Sequence, residues 1–162
     1  MNKRQSLLAL MGATLIAVSG CASLGGNSTT IADVTASNPQ LTTLNRLIQQ
    51  AGLSETLRGA EPYTVFAPSD EAFKAVPAKT LEELVQHPEQ LRSVLTYHVL
   101  PGKVIAAEVA NGQAKTVQGA SVALSRAGSF VTIEDAVVTQ PDLMASNGVV
   151  HVIDRVLMPP KK

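Results

Sequence analysis

The sequence has no tryptophan, one cysteine, two tyrosines, three phenylalanines and no net charge, with 13 Lys+Arg against 13 Asp+Glu. Each shortage removes a class of function. A lone cysteine leaves no intramolecular disulfide framework and no Cys-x-x-Cys redox or metal motif. Balanced charge offers no basic face for nucleic-acid phosphates. Aromatics at 3% give little platform for stacking sugars or bases. His87, His98 and His151 fall in no His-Glu-x-x-His or His-x-His spacing, so no metal-ligand set is read. Ser69 lies in Pro-Ser-Asp-Glu-Ala rather than a Gly-x-Ser-x-Gly elbow, and Gly25-Gly26 falls in a polar stretch rather than a phosphate loop. The expectation is a protein that is no enzyme and needs no cofactor, metal or nucleic acid.

What is present begins at the N-terminus. Lys3 and Arg4 precede an almost wholly apolar or small run from Ser6 to Val18, the layout of a secretory signal. The run is short for a bilayer span, which takes about 20 residues. It ends in Val18-Ser19-Gly20-Cys21, which resembles the bacterial lipoprotein signal. That resemblance implies cleavage before Cys21 and acylation of its sulfur. Ala22 follows rather than aspartate, which by resemblance to proteobacterial sorting favours the outer membrane. Residues 1–20 are thus read as leader. Its loss removes Lys3 and Arg4 and leaves 11 cations against 13 acids, a net charge of −2. The small, polar residues 21–30 read as an acylated tether, and 31–162 as one folded domain without internal repeats.

Within that domain the first half reads helical and the second half extended. Asn38-Pro39 reads as a helix start for Leu41, Leu44, Leu47, Ile48 and Ala51, with Gly52 as its stop. Leu53 to Arg58 reads as a short second helix. Tyr63 to Ala67 reads as a strand, after which Ser69 or Asp70 caps a helix bearing Phe73. Thr80 and Glu83 read as a capping box, and Pro88 opens a helix carrying Leu91, Val94 and Leu95. Tyr97 to Leu100 reads as a strand. Ser121–Ser125 and Phe130–Glu134 flank Ala127-Gly128 as a hairpin. Ala136–Gln140 and Val149–Ile153 complete a sheet, with Arg155–Met158 read as an extension of the last strand. Helices first and antiparallel strands later indicate an α+β fold.

Three boxes carry a family resemblance. Thr64-Val-Phe-Ala-Pro-Ser-Asp-Glu-Ala-Phe73, Tyr97-His-Val-Leu-Pro-Gly102 and Asn147-Gly-Val-Val-His-Val-Ile-Asp154 stand in the order found in the fasciclin-like family. The resemblance covers about Ile31 to Pro159. It implies a wedge-shaped, β-sandwich-like antiparallel sheet framed by several helices, in an adhesion or interaction module.

Thr64, Phe66, Pro68, Ser69, Asp70, Phe73, Asn147, Gly148 and His151 read first as structure: an apolar strand, a helix cap, a tight turn and a core histidine. Gln140-Pro-Asp-Leu-Met144 resembles the Pro-Asp-Ile-Met stretch that mammalian matrix fasciclin proteins use for integrin adhesion, with Leu for Ile and Gln for Glu. That resemblance makes Asp142 and Leu143 a contact pair and Pro141 the residue that shapes the loop. A strand exit with Leu143 or Met144 plugging the core is the competing, favoured reading. Tyr97 and His98 are linked to adhesion in the family, and burial competes there too. Two functions follow. One is a monomeric, membrane-held module that binds an envelope or matrix protein or polysaccharide. The other is a carrier with a small apolar ligand between sheet and helices.

Overall fold

The computed structural model describes residues 29–160. The leader, Cys21 and most of the tether lie outside the described residues, as do Lys161 and Lys162. The elements are α1 (Ile31–Ser37), α2 (Thr42–Gln50), α3 (Ser54–Arg58), β1 (Tyr63–Pro68), α4 (Asp70–Lys74), α5 (Ala78–Gln86), α6 (Pro88–Tyr97) and β2 (Val99–Pro101). A short 3₁₀ turn, Ala106–Glu108, precedes β3 (Gly112–Lys115), β4 (Ser121–Ala127), β5 (Phe130–Ile133), β6 (Ala136–Ala145) and β7 (Gly148–Ile153). The seven strands lie in the order β2-β1-β7-β6-β5-β4-β3. The Val117 amide donates to the Val99 carbonyl at 2.8 Å. This bond ties the chain after β3 back to β2 and curls the sheet towards closure.

The α+β class holds, and the hairpin turns between Ala127 and Phe130. The sheet is mixed, because β1 runs parallel to β7, with Val65 opposite Val150 and Phe66 opposite His151. The long helical connections after β1 make that pairing possible. Strand alternation divides the interior. Val65, Ala67, Val150 and Val152 face the helices, where Leu44, Leu47, Ile48, Leu91 and Leu95 meet them. Phe66 and Ile153 face the other side, against Tyr97, Val122, Val131, Ile133 and Leu157.

Several boundaries differ from the sequence reading. The first helix is α1, opened by a full capping box between Thr30 and Asp33. Asn38 ends that helix instead of starting the next. Its carboxamide accepts from the Gln40 amide at 2.9 Å, a turn that competes locally with helix. Helix α2 begins at Thr42 without a side-chain cap of its own. The Asp70 carboxylate fills that role from the start of α4, accepting from the Thr43 amide at 2.8 Å. Ser69 caps α4. The Thr80–Glu83 box does not form, because the helix has already begun at Ala78 behind Pro77. Tyr97 closes α6, so strand β2 starts two residues later at Val99. Strand β3 is polar and mostly exposed, which hid it from any apolar pattern. Arg155–Met158 adds no strand.

Candidate functional site

Strand β6 changes register against β7 between Gln140 and Leu143. Gln140 faces Val152 and Leu143 faces Val150, so Pro141 and Asp142 together oppose His151. Two residues against one is a β-bulge, and it re-aims the extra side chain. Asp142 sits at φ +57°, the left-handed region that aspartate enters more readily than most residues. The bulge is held on two sides. The Asp142 amide donates to His151 Nδ1 at 3.1 Å. Asp142 Oδ1 accepts from the Ala106 amide at 2.8 Å. The His151 ring is buried, lies 5.3 Å from the Phe66 ring in a stacked arrangement, and bonds the Val104 carbonyl through Nε2 at 2.8 Å. A backbone amide can only donate, so Nδ1 carries no proton and Nε2–H donates to Val104. His151 therefore fastens two loops, the bulge and the segment after β2, to one strand.

Pro141 and Asp142 are exposed, Leu143 is half-buried against the helix-side core, and Met144 is 53% exposed. The carboxylate is outside, Leu143 partly plugs the core and Met144 does not. Beside the bulge runs an open groove of about 450 Å³, walled by Val34 and Gln40 on one side and Gln140, Leu143 and Met144 on the other. The groove walls and the Val104 and Ala106 backbone groups were not legible in the sequence, because no residue type marks a backbone contact.

The remaining box residues tie the fold together. Thr64 Oγ1 donates to the Gly102 carbonyl at 2.7 Å and accepts from the Val104 amide at 2.8 Å. Asn147 joins three segments. Its Oδ1 accepts from the Ile31 amide at 2.9 Å, and its Nδ2 donates to the carbonyls of Leu57 at 2.8 Å and Gly59 at 2.7 Å. That bonding, rather than a positive φ angle, is the role of Asn147. At Gly148 a Cβ would lie 2.0 Å from the Tyr63 carbonyl oxygen, so glycine there permits the close approach of β1.

Comparison with known proteins bears on this arrangement. The Fasciclin domain model matches residues 39–159. The chain belongs to the fasciclin-domain family. It is similar to the immunogenic protein MPB70 of Mycobacterium bovis, 42% identical over 147 residues, covering 87% of this chain and 75% of that protein. It is also similar to the cell surface glycolipoprotein MPB83 of the same species, 36% identical over 135 residues. That match covers 80% of this chain and 60% of MPB83. Among solved structures, a FAS1 domain pair from the insect cell adhesion molecule Fasciclin I matches with TM-score 0.63 and 18% identity, over 80% of this chain and 51% of that one. Fasciclin domains are generally adhesion or interaction modules rather than enzymes.

Most of the residues that mark this fasciclin domain are interior. Thr64, Phe66, Pro68, Phe73 and His151 are buried, and Ser69 and Asp70 half-buried. Tyr97 and His98 are 4% and 2% exposed, which supports the competing core role over a partner contact. His98 Nδ1 bonds the Val94 carbonyl at 2.8 Å, and the Leu157 amide donates to Nε2 at 2.9 Å. The ring is thus neutral, with its proton on Nδ1, and pins the C-terminal segment to the end of α6. Burial drives its pKa down to about 4, against the opposing pull of the Val94 carbonyl. An apolar cavity between helices and sheet, lined by Leu44, Ile48, Leu57, Val65, Leu95 and Val117 among others, measures about 30 Å³. That is about the space of one water and far below the roughly 300 Å³ at which ligand pockets begin.

Proposed function

We propose that this fasciclin domain is an envelope adhesion or interaction module. Acyl chains at Cys21 hold it on a membrane, and the Asp142 bulge is its contact point for a protein or polysaccharide. One observation carries the reading: Asp142 presents an exposed carboxylate on a bulge that His151 and Ala106 fix on both sides. A contact group held in place before binding loses little freedom when a partner arrives. Leu143, Met144 and the adjoining groove supply apolar area beside the charge. This is the charge-plus-aliphatic pairing of the Pro-Asp-Leu-Met segment.

The anchor is supported by the run ending in Val18-Ser19-Gly20-Cys21 and by likeness to a cell surface glycolipoprotein. Two or three acyl chains hold a soluble domain far more firmly than one, at about 0.8 kcal/mol per buried CH₂. Ala22 in place of aspartate favours an outer membrane, by resemblance to proteobacterial sorting. Presentation on a surface also multiplies weak single contacts through effective concentration. The test is capture of envelope partners by the membrane-presented full chain, with Asp142→Ala in parallel. A specific partner retained by the wild type and lost by the variant, at unchanged melting temperature, supports the reading. Equal capture by both removes Asp142 from it.

A further inference from the structure

His151 and Asp142 are bonded in a way that one proton must reverse. The amide of Asp142 donates into Nδ1 at 3.1 Å, while the carboxylate of the same residue stands 4.0 Å from that nitrogen. One oxygen of that carboxylate, Oδ1, accepts from the Ala106 amide at 2.8 Å. The opposite ring nitrogen is committed to the Val104 carbonyl. If Nδ1 gains a proton from solvent, two donors face one another and the amide bond is lost. The charged ring then has one nearby acceptor with a negative charge, Asp142 Oδ1. Closing that 4.0 Å gap draws Oδ1 towards the ring and lengthens its bond to the Ala106 amide.

We propose that the Asp142 bulge is a proton-operated latch. Protonation of His151 exchanges the Asp142 amide for the Asp142 carboxylate, draws that carboxylate away from the Ala106 amide, and remodels the face made by Pro141–Leu143 and the half-buried Val104–Ala106. Among the described residues, Asp142 is the charged group that acts on the ring. Strand β1 presents Phe66 to it. On the segment after β2, Lys103 and Glu108 are exposed and make no ion pair with the ring. On β7 itself the neighbours are Val150 and Val152, and Asp154 is engaged by the Val137 amide at 2.7 Å. Burial holds the His151 pKa below its usual value, while the Val104 carbonyl and the Asp142 carboxylate pull it upward. The latch is therefore closed at neutral pH and opens in acid. Its consequence for partner binding rests on the proposed function, but the latch itself needs no partner to be tested.

The test is an NMR titration of the isotope-labelled full chain in detergent between pH 7.5 and 4.5. The His151 ring should titrate with a midpoint below 6.5, and the amides of Ala106 and Asp142 should shift with that same midpoint. The Leu157 amide, which reports on His98, should hold still above pH 5. In Asp142→Asn, whose side chain also suits the left-handed backbone there, the Ala106 shift should be lost and the His151 midpoint should move lower. The proposal is overturned by any of three results. The Ala106 and Asp142 amides stay fixed while the ring titrates or while it fails to titrate. Leu157 moves with them, which means general unfolding. Asp142→Asn titrates like the wild type.

Discussion

Acid should weaken this domain through His98 before most carboxylates titrate. The ring is buried and neutral, with its proton on Nδ1 and a backbone amide filling Nε2. Its pKa is about 4 when folded, against about 6.5 in an unfolded chain. A base whose folded pKa is depressed favours the fold when neutral. Its contribution is full above the unfolded value and falls as pH drops from 6.5 towards 4. Linkage puts the loss at about 2 kcal/mol by pH 5 and a little over 3 kcal/mol below pH 4. His151, shifted the same way by burial, adds to it. Denaturant unfolding at pH 7 and pH 5 measures the difference. His98→Gln supplies a donor and an acceptor but no titration. It should start less stable at pH 7, by about 1–3 kcal/mol for imperfectly paired groups, yet lose about 2 kcal/mol less than wild type on going to pH 5. A wild-type loss under about 0.5 kcal/mol would refute the reasoning. So would a His98→Gln variant with an undiminished loss.

Gly148→Ala puts a Cβ 2.0 Å from the Tyr63 carbonyl and 2.7 Å from Ile31 Cδ1. A backbone atom cannot yield as a side chain can, so a loss of about 3 kcal/mol or more is expected, seen as a collapse of the thermal transition. Cys21→Ser should abolish acylation and move the protein from the membrane fraction to the soluble one. Unchanged fractionation would sink the anchor.

The three boxes were legible because each combines unusual residues whose spacing the fold needs. Phe66 and His151 stand opposite each other across the parallel β1–β7 pair and stack. Thr64 and Val104 meet because β1 and β2 pair. Helix periodicity in Leu44, Leu47 and Ile48 located α2 but not its start. The cap is supplied by Asp70, distant in sequence, and the Asn38 turn imitates a local one. Strand β3 carries no apolar alternation because only Ala114 in it reaches the core, and that in part. The site was legible only in part. Asp142 was named, but its hold on Ala106 and His151 depends on a register shift that no residue pattern announces.

The bulge has a second explanation, and the two make different demands. Beyond Val137, β6 pairs with β7 alone, since β5 reaches only Ala136 and Val137. An open strand edge invites pairing with another chain, and proline and bulges are the usual means of blunting it. Pro141 brings no N–H to that edge, and the bulge bends it. Edge protection needs Pro141 and the bend but is indifferent to the Asp142 charge. Contact with a partner needs the charge and tolerates a change at Pro141 that keeps the bend. Pro141→Val should therefore raise self-association, measured as added mass in light scattering at rising concentration, while partner capture persists. If Pro141→Val stays as dispersed as the wild type and loses the partner instead, Pro141 belongs to the contact. The segment would then be shaped for binding rather than for keeping copies apart.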